Sequence, residues 1–372
     1  MPEHSISSSL DKIPKSGIRK LFDLAQNMEG IVSLGIGEPD FDTPSHIVEA
    51  SIKALKEGKT YYSPNSGILE LRQAISEKMK SQNKVDVSEN EIIVTVGGGE
   101  ALSLAIQSSI KSGDGVIVPS PAFVAYVPTV MLSGGNPIEV ECREDENFIL
   151  NPDLLEEKIT ENTELLILNS PSNPTGSVMK KSDLEKISDI VMEYNLKVLS
   201  DEVYESLIYD GKKHVSIASL NGMENNVITV NSFSKTYSMT GWRVGYLCSK
   251  DEILLDRMLK LHMYGPVCNN TFAQFGALEA LKGPQDFVDQ MREEFEDRRN
   301  LLLSRIKKMK GVSAIKPEGS FYLFMNISGM GIKSEEFSEK LLNQEKVVTV
   351  PGLAFGPYSD DRSEERRVGK EC

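Results

Sequence analysis

From about residue 46 to 285 the chain alternates two hydrophobic rhythms. Short unbroken apolar runs stand at Ile92–Val96, Val116–Val118, Leu165–Leu168, Val198–Ser200, Val227–Val230 and Val244–Leu247. Such runs, closed by turn residues, predict strands buried on both faces. Between them lie stretches with apolar residues three and four apart. Leu184–Tyr194 sets Leu184, Ile187, Ile190 and Val191 on one face, and Glu100–Ile110 has the same spacing. This spacing predicts amphipathic helices. Strand and helix in alternation predict an α/β fold, a mostly parallel central sheet flanked by helices.

Beyond Pro284 the rhythm changes. Gln285–Lys310 predicts one long charged helix, with Glu293, Glu294, Glu296, Asp297, Arg298 and Arg299 on its solvent faces. An apolar run at Phe321–Met325, a helix near Glu335–Asn343 and a run at Val347–Val350 follow. They predict a smaller α+β domain.

Charge narrows the function. Lys plus Arg number 41 and Asp plus Glu 55, so 41 − 55 gives −14. That balance lacks the attraction that drives phosphate-backbone binding, so no nucleic-acid partner is expected. The apolar runs are too short to span a membrane. The first twenty residues carry Glu3, Asp11, Lys12, Lys15 and Lys20 and have no apolar signal-peptide core. The four cysteines and four histidines form no metal or disulfide spacing. A reduced, cytoplasmic, metal-free enzyme is the expectation.

Chemistry concentrates in Ser232-Phe233-Ser234-Lys235 and the Gly241-Trp242-Arg243-Val244-Gly245 that follows it. Serine hydroxyls beside an arginine suit a phosphate dianion, and a desolvated lysine amine is a nucleophile. The pairing suggests a cofactor bearing both an aldehyde and a phosphate. Alone, such a lysine reads as a surface residue, so the segment needs support from others. Asn169-Ser170-Pro171-Ser172-Asn173-Pro174-Thr175-Gly176 ends the run Leu165–Leu168, where open α/β sheets bind ligands; it also reads as a plain turn. Asp201-Glu202-Val203-Tyr204 ends Val198–Ser200, as a ligand carboxylate or as a helix N-cap. Gly97-Gly98-Gly99-Glu100 opens a helix after a strand, the arrangement that binds phosphate through N–H groups.

In this order and spacing, with Gly37-Glu38-Pro39-Asp40-Phe41 and Tyr62-Ser63-Pro64 upstream, these segments resemble the class I/II aminotransferases. Those are fold type I enzymes dependent on pyridoxal 5'-phosphate. The likeness runs from about Leu34 to Gly356 and is nearest the archaeal and bacterial aromatic and aspartate branch. It implies a seven-stranded large domain over 45–285 and a small domain built from 1–44 with 286–361. It implies that Lys235 holds the cofactor as a Schiff base and shuttles the substrate proton. Asp201 would pair with the ring nitrogen, while Asn173 and Tyr204 hydrogen-bond the phenolic oxygen and Phe123 stacks on the ring. The phosphate would be held by Gly98, Gly99 and Glu100 through backbone, and by Ser232, Ser234 and Arg243. Tyr62 would reach the cofactor of a second subunit, which requires a homodimer with shared sites. The Gly37 N–H would bind the substrate carboxylate, Asn173 would also contact substrate, and Trp242 would pack beneath the cofactor loop. An amino acid would donate to a 2-oxo acid, with 2-oxoglutarate the expected acceptor, by a ping-pong route. A carbon–sulfur β-lyase on the same scaffold is the alternative. A cofactor-binding regulatory domain is a more distant one, because the stretch before Leu34 is too short for a DNA-binding domain.

The end of the chain departs from the resemblance. The family continues with a strand of the type Tyr-Val-Arg-Leu-Ser, whose Arg forks the substrate carboxylate. Here residues 362–372 read Arg-Ser-Glu-Glu-Arg-Arg-Val-Gly-Lys-Glu-Cys, with no alternation and no apolar face. They equal the in-frame translation of a common sequencing adapter. Residues 362–372 are therefore expected to be non-native, and none of Arg362, Arg366 and Arg367 stands in place of the missing arginine. A genomic read across the Arg362 codon, made without adapter ligation, is expected to diverge from residues 362–372. Finding all of Arg362–Cys372 there would overturn this. The literal chain is expected to bind cofactor but transaminate weakly, and turnover matching its relatives would contradict that.

Overall fold

The structure is a computed structural model and describes residues 28–365. The first strand, β1 (Val32–Ser33), belongs to the smaller half of the molecule. The central sheet follows as β2 (Ile92–Thr95), β3 (Gly115–Ser120), β4 (Asn136–Glu141), β5 (Thr163–Asn169), β6 (Lys197–Asp201), β7 (Val227–Ser232) and β8 (Gly245–Cys248). Its order is β2-β8-β7-β6-β5-β3-β4. Only β8 runs against its neighbours, β2 and β7.

Both faces of this sheet are dry, which explains the unbroken apolar runs. Along β5, Leu166 and Leu168 enter one core while Leu165 and Ile167 enter the other. Val198 and Leu199 of β6 divide in the same way. Helices Gly97–Ser109 and Glu252–Tyr264 cover one face. Lys181–Glu193 covers the other, burying Leu184, Ile187, Ile190 and Val191 as its spacing predicted. The edge strand β4 has no apolar run: Pro137, Glu139 and Glu141 are only partly buried and alternate with Ile138 and the buried Val140. A proline is tolerated there because no strand lies beyond to need its N–H.

The smaller half contains β9 (Ser313–Ala314), β10 (Leu323–Asn326), β11 (Val347–Val348), β12 (Val350–Pro351) and β13 (Arg362–Glu365). Four of them form a sheet in the order β12-β13-β10-β9. The single run Val347–Val350 is split, because β11 pairs in parallel with β1 while β12 joins the other sheet. Thr349, between them, is buried and bonded to Ser338 and Ser363.

Two expectations need correction. Arg362–Glu365 was expected to form no strand, yet it is the strand between β10 and β12, antiparallel to both. Backbone pairing supplies the ladder whatever the side chains, since two flanking strands offer their N–H and C=O groups. Arg298 and Arg299 were expected on wet faces of the long helix, Asp286–Ile306, yet both are buried. Arg298 donates to Asp40 and Glu294, each at 2.8 Å, and lies over the rings of Phe41 and Phe295. Arg299 forks Asp210 at 2.9 and 3.1 Å, stacks on Tyr209 and donates to Pro317 O. Hydrogen bonds from Arg299, then Lys316, hold the Asp210 carboxyl down at about 2.

A buried arginine with all its partners in place is costly to remove, because the carboxylates it leaves behind are stranded. Arg298→Ala is expected to lower unfolding free energy by about 2–4 kcal/mol in urea titration, against under about 0.5 kcal/mol for exposed Asp297→Ala. Equal effects would show that the burial of Arg298 carries no weight.

Candidate active site

The carboxyl ends of β5, β6 and β7 bring Asn169, Asp201 and Ser232 to one edge of the sheet. Asn169 and Asp201 are direct partners in the ladder. A cleft of about 340 Å³ opens there. Gly37, Gly98, Gly99, Phe123, Asn173, Asp201, Tyr204, Ser232, Ser234, Lys235 and Arg243 line its wall. Eleven of the thirteen residues expected at the site from sequence thus meet in one place. Glu100 and Tyr62 do not line it. Glu100 turns its side chain to Val96 N and His262, leaving backbone alone for a ligand. Tyr62 is 85% exposed, beside Tyr61 at 83%.

Asp201 is buried at the floor. Its Oδ2 accepts from Tyr126 Oη at 2.7 Å and its Oδ1 from Val203 N at 3.3 Å. Burial pushes its carboxyl up to about 6, against the hydrogen bonds from Tyr126 and Val203. Asn169 links the neighbouring strand ends: it donates to Asp201 O at 3.0 Å and accepts from Asn173 N at 2.7 Å. Tyr204 and Tyr322 share a hydrogen bond between hydroxyls. Phe123 meets Tyr126 edge-on at 5.5 Å. Lys235 Nζ donates to Gly37 O and lies 5.6 Å from the Phe321 ring centre.

The opposite end is built of glycines, hydroxyls and a guanidinium. Gly97 has φ +74, and a Cβ there would stand 2.5 Å from the Arg243 guanidinium. A Cβ on Gly245 would stand 2.6 Å from the Gly97 carbonyl carbon. Glycine at 97 and 245 therefore lets the arginine strand lie against the start of helix Gly97–Ser109. Ser232 Oγ donates to Ser234 Oγ at 3.0 Å. Asn269 Nδ2 ties Thr95 O to Arg243 O. Trp242 lies outside the cleft, donating to Thr43 Oγ1 and packing against Gly276.

Sequence reading missed Tyr126, Asn169 and Tyr322. Asn169 opens the very loop that carries Asn173, and Tyr126 stands three residues after Phe123. Tyr322 sat within a run read only as a strand. Behind Asp201, Glu202, Glu205 and His214 come together. Glu202 already accepts from Ser200, Ser216, Asn83 and His214, and Glu205 pairs with Lys78. Burial would raise the Glu202 carboxyl, but His214 and the hydroxyls hold it below its usual range. The Glu202 oxygens thus have their lone pairs in use within a buried ion-pair network.

A lysine amine, a buried carboxylate and an anion cradle in one cleft at a sheet's carboxyl edge define the site of a fold type I cofactor enzyme. Residues 29–366 match the family model "Aminotransferase class I and II". Aromatic-amino-acid aminotransferase 2 of Thermococcus litoralis is 48% identical over 355 residues, covering 95% of this chain and 91% of that protein. The aspartate aminotransferase of Pyrococcus abyssi is 49% identical with the same coverage. The crystal structure of an aromatic aminotransferase from Pyrococcus horikoshii OT3 superposes with a TM-score of 0.88 at 45% identity, covering 94% of this chain and 93% of that one. The chain belongs to the class I and II aminotransferases, transferases that move amino groups with pyridoxal 5'-phosphate.

The cleft fits that cofactor. Asn173 lines it with a buried amide oxygen that has no hydrogen-bond partner among the described residues. Asp201 is likewise a buried carboxylate on the cleft wall, where it would pair with a protonated ring nitrogen. Between pH 4 and 6 the folded protein holds an Asp201 proton that the unfolded chain releases, so this group makes stability fall as pH rises through that window. Two pKa units correspond to about 3 kcal/mol. In cofactor-stripped protein, Asp201→Asn is expected to raise the thermal midpoint at pH 7 and flatten the fall between pH 4 and 6. A lowered midpoint at pH 7 would contradict the burial account.

Proposed function

We propose that this enzyme exchanges amino groups between an aromatic or acidic amino acid and a 2-oxo acid, with 2-oxoglutarate as acceptor, and that Lys235 is its central catalytic residue. The observation that carries this is the meeting of Lys235, Asp201 and Asn173 with the Ser232–Ser234–Arg243 group in one cleft. The relatives named above for aromatic amino acids and for aspartate support the donor class.

Lys235 Nζ would hold the cofactor at its aldehyde carbon. Gly98 and Gly99 N–H, Ser232, Ser234 and Arg243 would hold the phosphate, with the backbone of Glu100 behind them. Asn173 and Tyr204 would bond the phenolic oxygen and Phe123 would cover the ring. The bound cofactor supplies an electron-withdrawing ring conjugated with the substrate's α-carbon. Asp201 would keep a proton on the ring nitrogen, since a carboxylate in a dry site binds a cation far more strongly than it would in water. Lys235 Nζ would take the proton from the substrate α-carbon. Gly37 N–H and Asn173 would hold the substrate carboxylate. Arg362 gives no help there, because it donates to Glu144 at 2.6 Å and lies over Phe148.

The working unit we propose is a homodimer. Tyr62, Tyr61 and Tyr264 are each more than four-fifths exposed, and large exposed aromatics favour a partner surface. Tyr62 would reach the phosphate of the second subunit. Among the described residues no helix is long and apolar enough to cross a membrane. Cys142, Cys248 and Cys268 are free thiols, which supports a cytoplasmic setting.

Purified protein is expected to be yellow, and borohydride is expected to fix the absorbing group to Lys235. Lys235→Ala is expected to lose transamination and this labelling together, and an active Lys235→Ala enzyme would overturn the assignment. Pyruvate and ammonia formed from cystathionine with no acceptor acid would favour the β-lyase reading instead.

A further inference from the structure

The carboxyl end of helix Glu252–Tyr264 meets the amino end of helix Gly97–Ser109 through a buried contact. His262 has no exposed surface, and its Nδ1 lies 2.8 Å from Glu100 Oε1. A carboxylate only accepts, so Nδ1 carries the hydrogen. Glu100 Oε2 in turn accepts from Val96 N at 2.5 Å, the residue before the glycine turn. His262 Nε2 is buried and has no hydrogen-bond partner among the described residues. A phenylalanine would fill this space without an unpartnered Nε2, but it would lose the bond to Glu100 Oε1. The imidazole is therefore kept for what Nδ1 does.

The segment that starts at His262 grips the same turn a second time. Gly265 N and Val267 N both donate to His262 O at 3.2 Å. Asn269, just beyond, binds Thr95 O and Arg243 O. The glycine turn is thus held through Val96 by Glu100 and through Thr95 by Asn269.

Glu100 itself poses a problem for an anion site. It sits in the first turn of the helix, where the exposed N–H groups and the helix dipole attract any negative charge. A loose carboxylate there would compete with a phosphate for the N–H groups of Gly98 and Gly99. Instead its side chain points away, and Gly98, Gly99 and Leu102 face the cleft without it.

We propose that His262 is a positioning residue for the phosphate end of the site: it holds the Glu100 carboxylate against Val96 N and away from the phosphate-binding N–H groups. This rests on reading the glycine turn as the phosphate site.

The test compares pyridoxal 5'-phosphate with pyridoxal, which lacks the phosphate. The full chain is loaded with each, and Kd is measured by equilibrium dialysis. His262→Phe is expected to raise Kd for the phosphorylated cofactor about tenfold, the scale of one lost charge-assisted contact. Its Kd for pyridoxal is expected to stay within about twofold. His262→Asn keeps a donor near the Nδ1 position and is expected to recover most of the loss. Adding Glu100→Gln to His262→Phe is also expected to recover it, because a neutral amide competes less for the same N–H groups. Equal weakening of both ligands, or of neither, would overturn the proposal. Arg243→Ala separates it from the underlying reading. If Arg243→Ala also fails to discriminate the two ligands, the phosphate-site reading falls; if it discriminates and His262→Phe does not, only the role of His262 falls. Should His262→Phe not fold, His262→Leu is read by the same criteria.

Discussion

A carboxylate buried at the end of a parallel strand is the constraint around which the rest of this molecule is arranged. Asp201 leaves β6 where no solvent reaches, held by Tyr126 Oη and Val203 N. Burial resists its charge and carries its carboxyl up to about 6. Everything nearby responds to that cost. Asn169 on β5 fixes the strand end by binding Asp201 O and then sets Asn173 N. On the other side of the strand, Glu202 is saturated by His214, Asn83 and two serines. Two adjacent carboxylates can coexist in a dry interior because successive residues of an extended chain point to opposite sides, and Glu202 directly follows the last residue of β6. One faces the ligand cleft, and the other is satisfied by a network of its own.

The smaller half is joined to this centre by an apolar cluster, Tyr204, Leu207 and Tyr209 against Met291, Phe295 and Tyr322, and by buried charges beside it. Arg298 reaches from the long helix to Asp40, three residues past Gly37, whose carbonyl accepts from Lys235 Nζ. Arg299 ties the same helix to Asp210 and to Pro317 O. Pro317 also stands where a Cβ on Gly176 would be, 2.5 Å away. The Asn173 loop and the Gly37 segment are therefore both referenced to one helix. Stability and site geometry share these contacts, so they are not independent properties of the fold.

The carboxyl end shows how little a strand slot asks of its occupant. Between β10 and β12 the backbone groups of Arg362–Glu365 complete both ladders. Ser363 fits inside by bonding Thr349 Oγ1 at 3.1 Å, and Arg362 turns to Glu144. A site needs more than a slot. The guanidinium must point into the cleft, and Arg362 does not.

The sequence by itself determined the doubly covered sheet, because strands dry on both faces must be continuous apolar runs. It also pointed to Lys235, Asp201, Asn173, Ser232 and Arg243 as candidates, through motifs whose order and spacing resemble those of the class I/II aminotransferases. Only the tertiary structure decided where charges in helices go. Arg298 and Arg299 stand in a charged stretch that reads as solvent faces, yet both are buried and bonded, and Glu100, expected at the site through its backbone, turns its side chain to buried His262. Their partners lie tens to hundreds of residues away, and pairing at such separation leaves no periodic trace in the chain. Tyr126 and Tyr322 escaped for the same reason, since a hydroxyl aimed at Asp201 or Tyr204 looks like any other core aromatic until the strands are brought together. Periodicity records which face is dry, whereas the identity of the group across the gap belongs to the fold.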